Sequence, residues 1–237
     1  MKPAHAPWEQ GRMPGDGQVL RRRVLDEAGC EDWVLAVLLQ ERHWRRRHPE
    51  VPFHTLGLAA YLDAVAAAGQ GYHRAELRES SNALLARHFR PLLERVAATL
   101  RAMLGMPARL ADSEAALPGF HIYLPHPALD GPVASVHRDL QYRQAFPAAT
   151  PDPGDVLSFT LPLCNPPGSG LSVWPAAGDP GAGAEAAHRF HPYRPGEIVV
   201  HDGLAPHQAV LCCGHGDPRI SLQGHGLRMG GEFLLYW

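Results

Sequence analysis

The sequence predicts a mainly β protein with helices at its N-terminal end, and three observations carry that expectation. Residues 19–106 place apolar side chains at three- and four-residue steps, the spacing of a helix face. Beyond Pro118 the segments shorten, alternate or become β-branched, and are separated by Pro and Gly. These strand signals follow one another too closely for helical crossovers, so the back half reads as a sandwich or jelly roll rather than a βαβ fold. At 237 residues one core suffices. We expect a flexible N-terminus over 1–17 and a single domain over 18–237, with helical support at 18–106 and the β core at 118–237.

In chain order, the first helix is expected after Gly29, on the stripe Trp33, Val34, Val37 and Leu38. A second runs from Thr55 through Leu62 and Val65 to Ala68. A third begins near His73 and is divided by Pro91; Leu93, Ala97, Leu100 and Leu104 continue it until Gly105 stops it. Strands are expected at Gly119–Leu124, Ala134–His137, Val156–Leu163, Leu171–Trp174, His188–Tyr193, Glu197–His201, Gln208–Leu211, Ile220–His225 and Phe233–Trp237. Two loops, Phe146–Asp155 and Pro175–Ala187, hold too few apolar residues to pack deeply. Either suits a lid or a plain connector.

Composition narrows the function classes. A hydrophobic fraction of 45% without an apolar run long enough to cross a bilayer points to a soluble globular chain. Residues 1–18 contain no apolar segment of the secretory kind, so a cytoplasmic address is expected. A net charge of −2 supplies no field for nucleic acid, and the runs Arg21–Arg23 and Arg45–Arg47 read as solvated faces of helices. Cys30, Cys164, Cys212 and Cys213 show no CxxC spacing, so reduced thiols are expected.

Chemistry concentrates in three places. His137-x-Asp139 at a strand end delivers an imidazole and a carboxylate to one point while Arg138 turns away. His207 follows the turn and strand Pro195-Gly196-Glu197-Ile198-Val199-Val200 and competes with His201 to add a second imidazole; His207 is preferred because His201 simply ends its own strand. Two histidines and one carboxylate can occupy one face of a ferrous ion and leave the other open. Arg219, Ser221, Gln223 and His225 share one face of a strand whose other face carries Ile220 and Leu222. If the apolar face packs under the helices, Arg219 points inward, and an interior guanidinium needs an anion. Tyr123, His121, Ser158, Thr160, Gln141, Tyr142, Arg143 and Trp174 are pocket candidates, Tyr123 and Gln141 foremost.

Together, His137-x-Asp139, the distal His207 and Arg219-x-Ser221 resemble the signature of the iron(II)/2-oxoglutarate-dependent oxygenases in their usual order, over roughly Gly119–Trp237. The resemblance implies a double-stranded β-helix in which His137, Asp139 and His207 hold Fe(II). It implies that 2-oxoglutarate chelates the metal while Arg219 and Ser221 bind its distal carboxylate; Tyr123 and Gln141, the foremost pocket candidates, are expected to bind co-substrate or substrate. It further implies dioxygen consumption and release of succinate and carbon dioxide. Hydroxylation of an aliphatic carbon of a small molecule, an amino acid or natural-product intermediate, is expected because neither a nucleic-acid footprint nor a peptide-recognition domain is visible. A carboxylate at position 139 favours hydroxylation, desaturation or cyclisation over halogenation. A peptide- or carrier-bound substrate, a cupin-like metal enzyme without 2-oxoglutarate, and a non-catalytic jelly-roll binding protein are the competing readings.

Overall fold

The computed structural model describes residues 17–64, 71–132, 135–175, 188–214 and 216–237. All but the last residue of the expected flexible N-terminus 1–17, the end of the second helix at Val65–Ala68 and all but the first residue of the loop Pro175–Ala187 lie outside the described residues.

The described residues begin with strand β1 (Leu20–Arg23) and helix α1 (Glu27–Leu38), followed by the short strands β2 (Arg45–Arg46) and β3 (Phe53–Leu56) and the one-turn helix α2 (Ala60–Asp63). The long helix α3 (Ala75–Leu104) comes next, then strands β4 (Ala108–Leu110), β5 (Gly119–Tyr123) and β6 (Asp130–Pro132) and helix α4 (Tyr142–Ala145). Seven strands complete it: β7 (Val156–Cys164), β8 (Gly170–Val173), β9 (Arg189–Pro192), β10 (Glu197–Asp202), β11 (His207–Cys212), β12 (Arg219–Met229) and β13 (Glu232–Tyr236).

Two sheets result. The larger runs β1-β10-β7-β12-β5-β3-β2, with β13 on the second half of β12 and β4 beyond it; the smaller runs β6-β11-β8-β9. Every pairing is antiparallel except β13 with β4. Alternation sets what each face does. Phe120, Ile122, Leu161, Ile198, Ile220 and Leu222 point to the helical side and form one core with Leu85, Phe89, Leu92 and Val96 of α3. Their neighbours His121, Thr160, His201, Arg219 and His225 line a cavity on the other face. This is a mainly antiparallel, jelly-roll-like β protein.

Several expectations change. The helix α1 starts at Glu27, earlier than expected, because Asp26 caps it by accepting from the Gly29 amide at 2.9 Å. The expected helix at Thr55 is instead strand β3, paired with β5; Gly57, at φ 116°, turns the chain before α2. Pro91 does not divide α3. Its ring sits on the exposed side of a helix whose opposite side is buried from Leu85 to Leu104, and that packing outweighs a lost hydrogen bond on the solvent side. Gly105 at φ 66° ends it, as expected.

Neither basic run lies on a helix. Arg21–Arg23 form an edge strand, where Arg21 meets Glu197 at 2.7 Å and arginines discourage pairing with another chain. Arg45 and Arg47 converge on Asp63, at 3.1 and 2.7 Å. Ala134 of the expected strand Ala134–His137 lies outside the described residues, and the rest carries one bridge, between His137 and His207; β1–β4 and β6, each of two to four residues, carry too little sequence to announce themselves. Cys30, Cys164, Cys212 and Cys213 are free thiols, and no described helix is long and apolar enough to cross a membrane.

Candidate metal centre

The triad is assembled by backbone pairing between two short segments. His137 and His207 exchange both peptide hydrogen bonds, at 3.0 and 2.9 Å, and the Asp139 amide donates to the Gly203 carbonyl at 2.7 Å. Arg138, between the two candidate ligands, turns away and donates to the Leu204 carbonyl. The bridge therefore does locally what the expected strand was to do: it puts residues 137 and 139 on one side and fixes them against His207.

His137, Asp139 and His207 each offer a ligand atom, all within 4.8 Å of one another. His207 Nε2 lies 3.3 Å from Asp139 Oδ2, and His137 Nε2 lies 3.7 Å from Asp139 Oδ1. Both imidazoles are oriented from behind: His137 Nδ1 meets the Ser135 carbonyl at 2.8 Å and His207 Nδ1 the Ala205 carbonyl at 2.9 Å. Each Nδ1 then carries the proton, which leaves the Nε2 lone pair facing the shared point. His201 stacks edge-on to His207 with ring centroids 4.4 Å apart, but it is outside the group of converging atoms.

Electrostatics fit a cation there. Burial alone would raise the Asp139 pKa, but the His207 and His225 imidazoles outweigh it and hold the carboxyl well below the usual carboxylate range. Burial works against the His207 imidazolium, and Asp139 more than offsets it, so that His207 is raised. Burial, helped by neighbouring His207, drops His201 to about 3, and burial lowers His225 as well. A buried carboxylate held ionised beside imidazoles, whose protons a divalent ion can displace, is a ready ligand set for such an ion.

The triad opens onto a cavity of about 610 Å³. On its wall stands Arg219, 1% exposed, with Nε and both Nη atoms lacking any hydrogen-bond partner. Its guanidinium carbon lies 5.5 Å from the Tyr123 ring centre and 5.1 Å from that of Tyr193. Ring faces soften the desolvation of a buried cation but leave its donors free. A buried guanidinium with three unused nitrogens is costly unless an anion meets it. Ser221, two residues on, does not line the cavity; its hydroxyl accepts from Gln223 Nε2 at 3.4 Å.

Of the expected pocket residues, Tyr123, His121, Ser158, Thr160 and Gln141 line this cavity, whereas Tyr142, Arg143 and Trp174 do not. Gln141 Nε2 donates to Asp139 Oδ1 at 3.0 Å. The sequence reading missed Tyr61, whose hydroxyl meets His121 Nε2 at 2.6 Å, and Phe53, stacked on Tyr123 with centroids 4.5 Å apart. Tyr61 belongs to the segment read as the second helix and Phe53 lies just before it; a strand assignment around Phe53 would have exposed the second. Tyr193 closes a predicted strand, yet nothing in the sequence links it to Arg219.

No protein-family model and no curated protein matches the sequence. Solved structures do. The chain is similar to the non-heme alpha ketoglutarate dependent epimerase SnoN from nogalamycin biosynthesis, at 20% identity and TM-score 0.56, covering 90% of this chain and 79% of that one. The same epimerase in complex with Fe3+, alpha ketoglutarate and nogalamycin RO gives 18% and 0.55, over 90% and 82%. AviO1 from Streptomyces viridochromogenes Tue57 gives 15% and 0.50, over 94% of both chains. At these identities the likeness is one of fold.

Proposed function

We propose that this chain, which has the fold of the non-heme iron/2-oxoglutarate enzymes, is itself an Fe(II)- and 2-oxoglutarate-dependent oxygenase acting on a small molecule, with a double-stranded β-helix as its core. The observation that carries the reading is the unpartnered, buried Arg219 guanidinium on the wall of the cavity into which His137, Asp139 and His207 converge. A metal site alone would not call for it. A dicarboxylic co-substrate does, because one end can chelate the metal while the other needs a bidentate cation.

The donor set suits the group. Three protein ligands on one side leave positions for a bidentate co-substrate and for dioxygen, unlike a closed four-ligand structural site. When bound, Fe(II) with 2-oxoglutarate supplies oxidation of a C–H bond by dioxygen, with succinate and carbon dioxide released. The residues of the chain do the rest. His137, Asp139 and His207 would fix the metal, and Arg219, flanked by Tyr123 and Tyr193, would fix the far carboxylate of the co-substrate. Ser221 enters as a buried neighbour of that wall. Phe53, Tyr61 and Trp237 line the remaining volume and exclude water. The cavity is of the size that encloses a compact organic molecule, which favours a free small substrate over a peptide.

The test is succinate release with Fe(II), ascorbate and 2-oxoglutarate across a panel of amino acids and natural-product intermediates, with product masses recorded. Gain of one oxygen reports hydroxylation; an unchanged mass with altered stereochemistry reports the kind of outcome named for SnoN. His137→Ala and Asp139→Ala should lose both iron and turnover, while His201→Ala should keep its iron. Iron retained in His207→Ala but lost in His201→Ala would move the distal ligand to His201.

A further inference from the structure

Asp139 is held by more than its backbone. A carboxylate torsion is broad and nearly two-fold, so a lone aspartate ligand could swing either oxygen, or both, toward a metal. Here each oxygen is engaged separately: Gln141 Nε2 donates to Oδ1 at 3.0 Å, and the Ser158 hydroxyl donates to Oδ2 at 2.5 Å. Behind Ser158 stands His225, whose Nδ1 is 3.0 Å from the Ser158 oxygen. Ser158 has one proton, and an ionised carboxylate is the stronger acceptor, so the proton goes to Asp139 and His225 Nδ1–H donates to Ser158.

The sheet builds this arrangement. Ser158 on β7 is registered directly against His225 on β12 and against His201 on β10, so one row of side chains crosses three neighbouring strands beneath Asp139. Gln141 comes from the opposite direction, two residues beyond Asp139 at the start of α4. All four side chains are more than nine-tenths buried.

We propose that Gln141, Ser158 and His225 are positioning residues that fix the rotation of the Asp139 carboxylate, so that it would meet a metal in one orientation. The proposal rests on the metal-centre reading of Asp139. It also moves Gln141 from a pocket residue expected to bind co-substrate or substrate to a partner of the ligand carboxylate. Groups that orient metal ligands in this way are worth about 10–100-fold in metal affinity.

The experiment measures Mn2+ affinity of the full chain by electron paramagnetic resonance, in the absence of substrate. Ser158→Ala and Gln141→Leu should each bind Mn2+ about 10–100-fold more weakly than the parent. Ser158→Thr, which keeps the hydroxyl, should restore affinity, and the double variant should depart from the product of the two single effects because both act on one carboxylate. Thermal unfolding checks that each variant folds; should Ser158→Ala not fold, Gln141→Leu and Ser158→Thr still decide the matter. If the parent binds Mn2+ and both variants bind within about threefold of it, the clamp is wrong and the metal centre stands. If the parent binds none, both fail.

Discussion

Arg219 concentrates the physical argument at the scale of single residues. Its three nitrogens are buried and unpartnered, so the free energy stored in them is recovered only when an anion arrives. Truncating one side of a buried, hydrogen-bonded charge pair costs about 2–5 kcal/mol. Arg219→Ala should therefore raise the 2-oxoglutarate concentration needed for half-saturation by about 30-fold or more, with metal content unchanged, in a co-substrate titration. Arg219→Lys should recover only part, since an ammonium lacks the planar fork. Unchanged saturation in Arg219→Ala would remove the co-substrate from that wall. His137, Asp139 and His207 were legible as a group because chemistry limits which side chains bind a hard-to-borderline divalent ion. The contacts of Gln141 and Ser158 with Asp139 were not legible, because they depend on a register between β7 and β12 that no local pattern encodes.

Helix α3 and the hairpin of β12 and β13 carry the scaffold at the scale of elements. Phe89 is fully buried, 4.6 Å centroid to centroid from Phe120 of β5 and 6.0 Å from Trp33 of α1, so it joins three elements at one point. Phe89→Ala should lower unfolding free energy by about 3–5 kcal/mol, read from denaturant titration. A loss under about 1 kcal/mol would mean that the helix is not anchored there. At the other end, Arg109 of β4 bonds Glu114 at 2.6 Å and Glu232 of β13 at 3.1 Å. The hydrogen bond from Arg109 depresses the Glu114 carboxyl from 4.5 to about 2. A depressed carboxyl adds stability that is present above its unfolded value and lost as pH falls through the folded one. Parent stability should thus decline between about pH 4.5 and 2 more steeply than that of Glu114→Gln, by a small margin because the pair is partly exposed. Equal slopes would show that the Arg109–Glu114 pair adds nothing to the stability of the fold.

The two sheets and the helical layer make the site a property of the whole molecule: His207 comes from the small sheet, Arg219, Ser158 and His225 from the large one, and Asp139 from the segment between. Ligands that bind only the folded state stabilise it, by about 2.7 kcal/mol at a hundredfold excess over Kd. At this chain length that corresponds to a rise in Tm of about 5–10 °C. Mn2+ with 2-oxoglutarate should raise the parent Tm further than Mn2+ alone, and Arg219→Ala should keep the metal increment while losing the other; identical increments in both proteins would contradict the assigned wall. The sequence by itself determined the mainly β back half, the residues of the triad and the inward placement of Arg219, Gln223 and His225 on β12, though not that Ser221 leaves the cavity wall, because alternation, turn chemistry and ligand type are local properties. It could not determine that β1, β2 and β3 extend the large sheet, that α3 runs unbroken through Pro91, or that Tyr61, Phe53 and Tyr193 share the cavity with the triad. Those outcomes depend on partners remote in sequence, and burial against such partners overrides the weak local preference of any short segment.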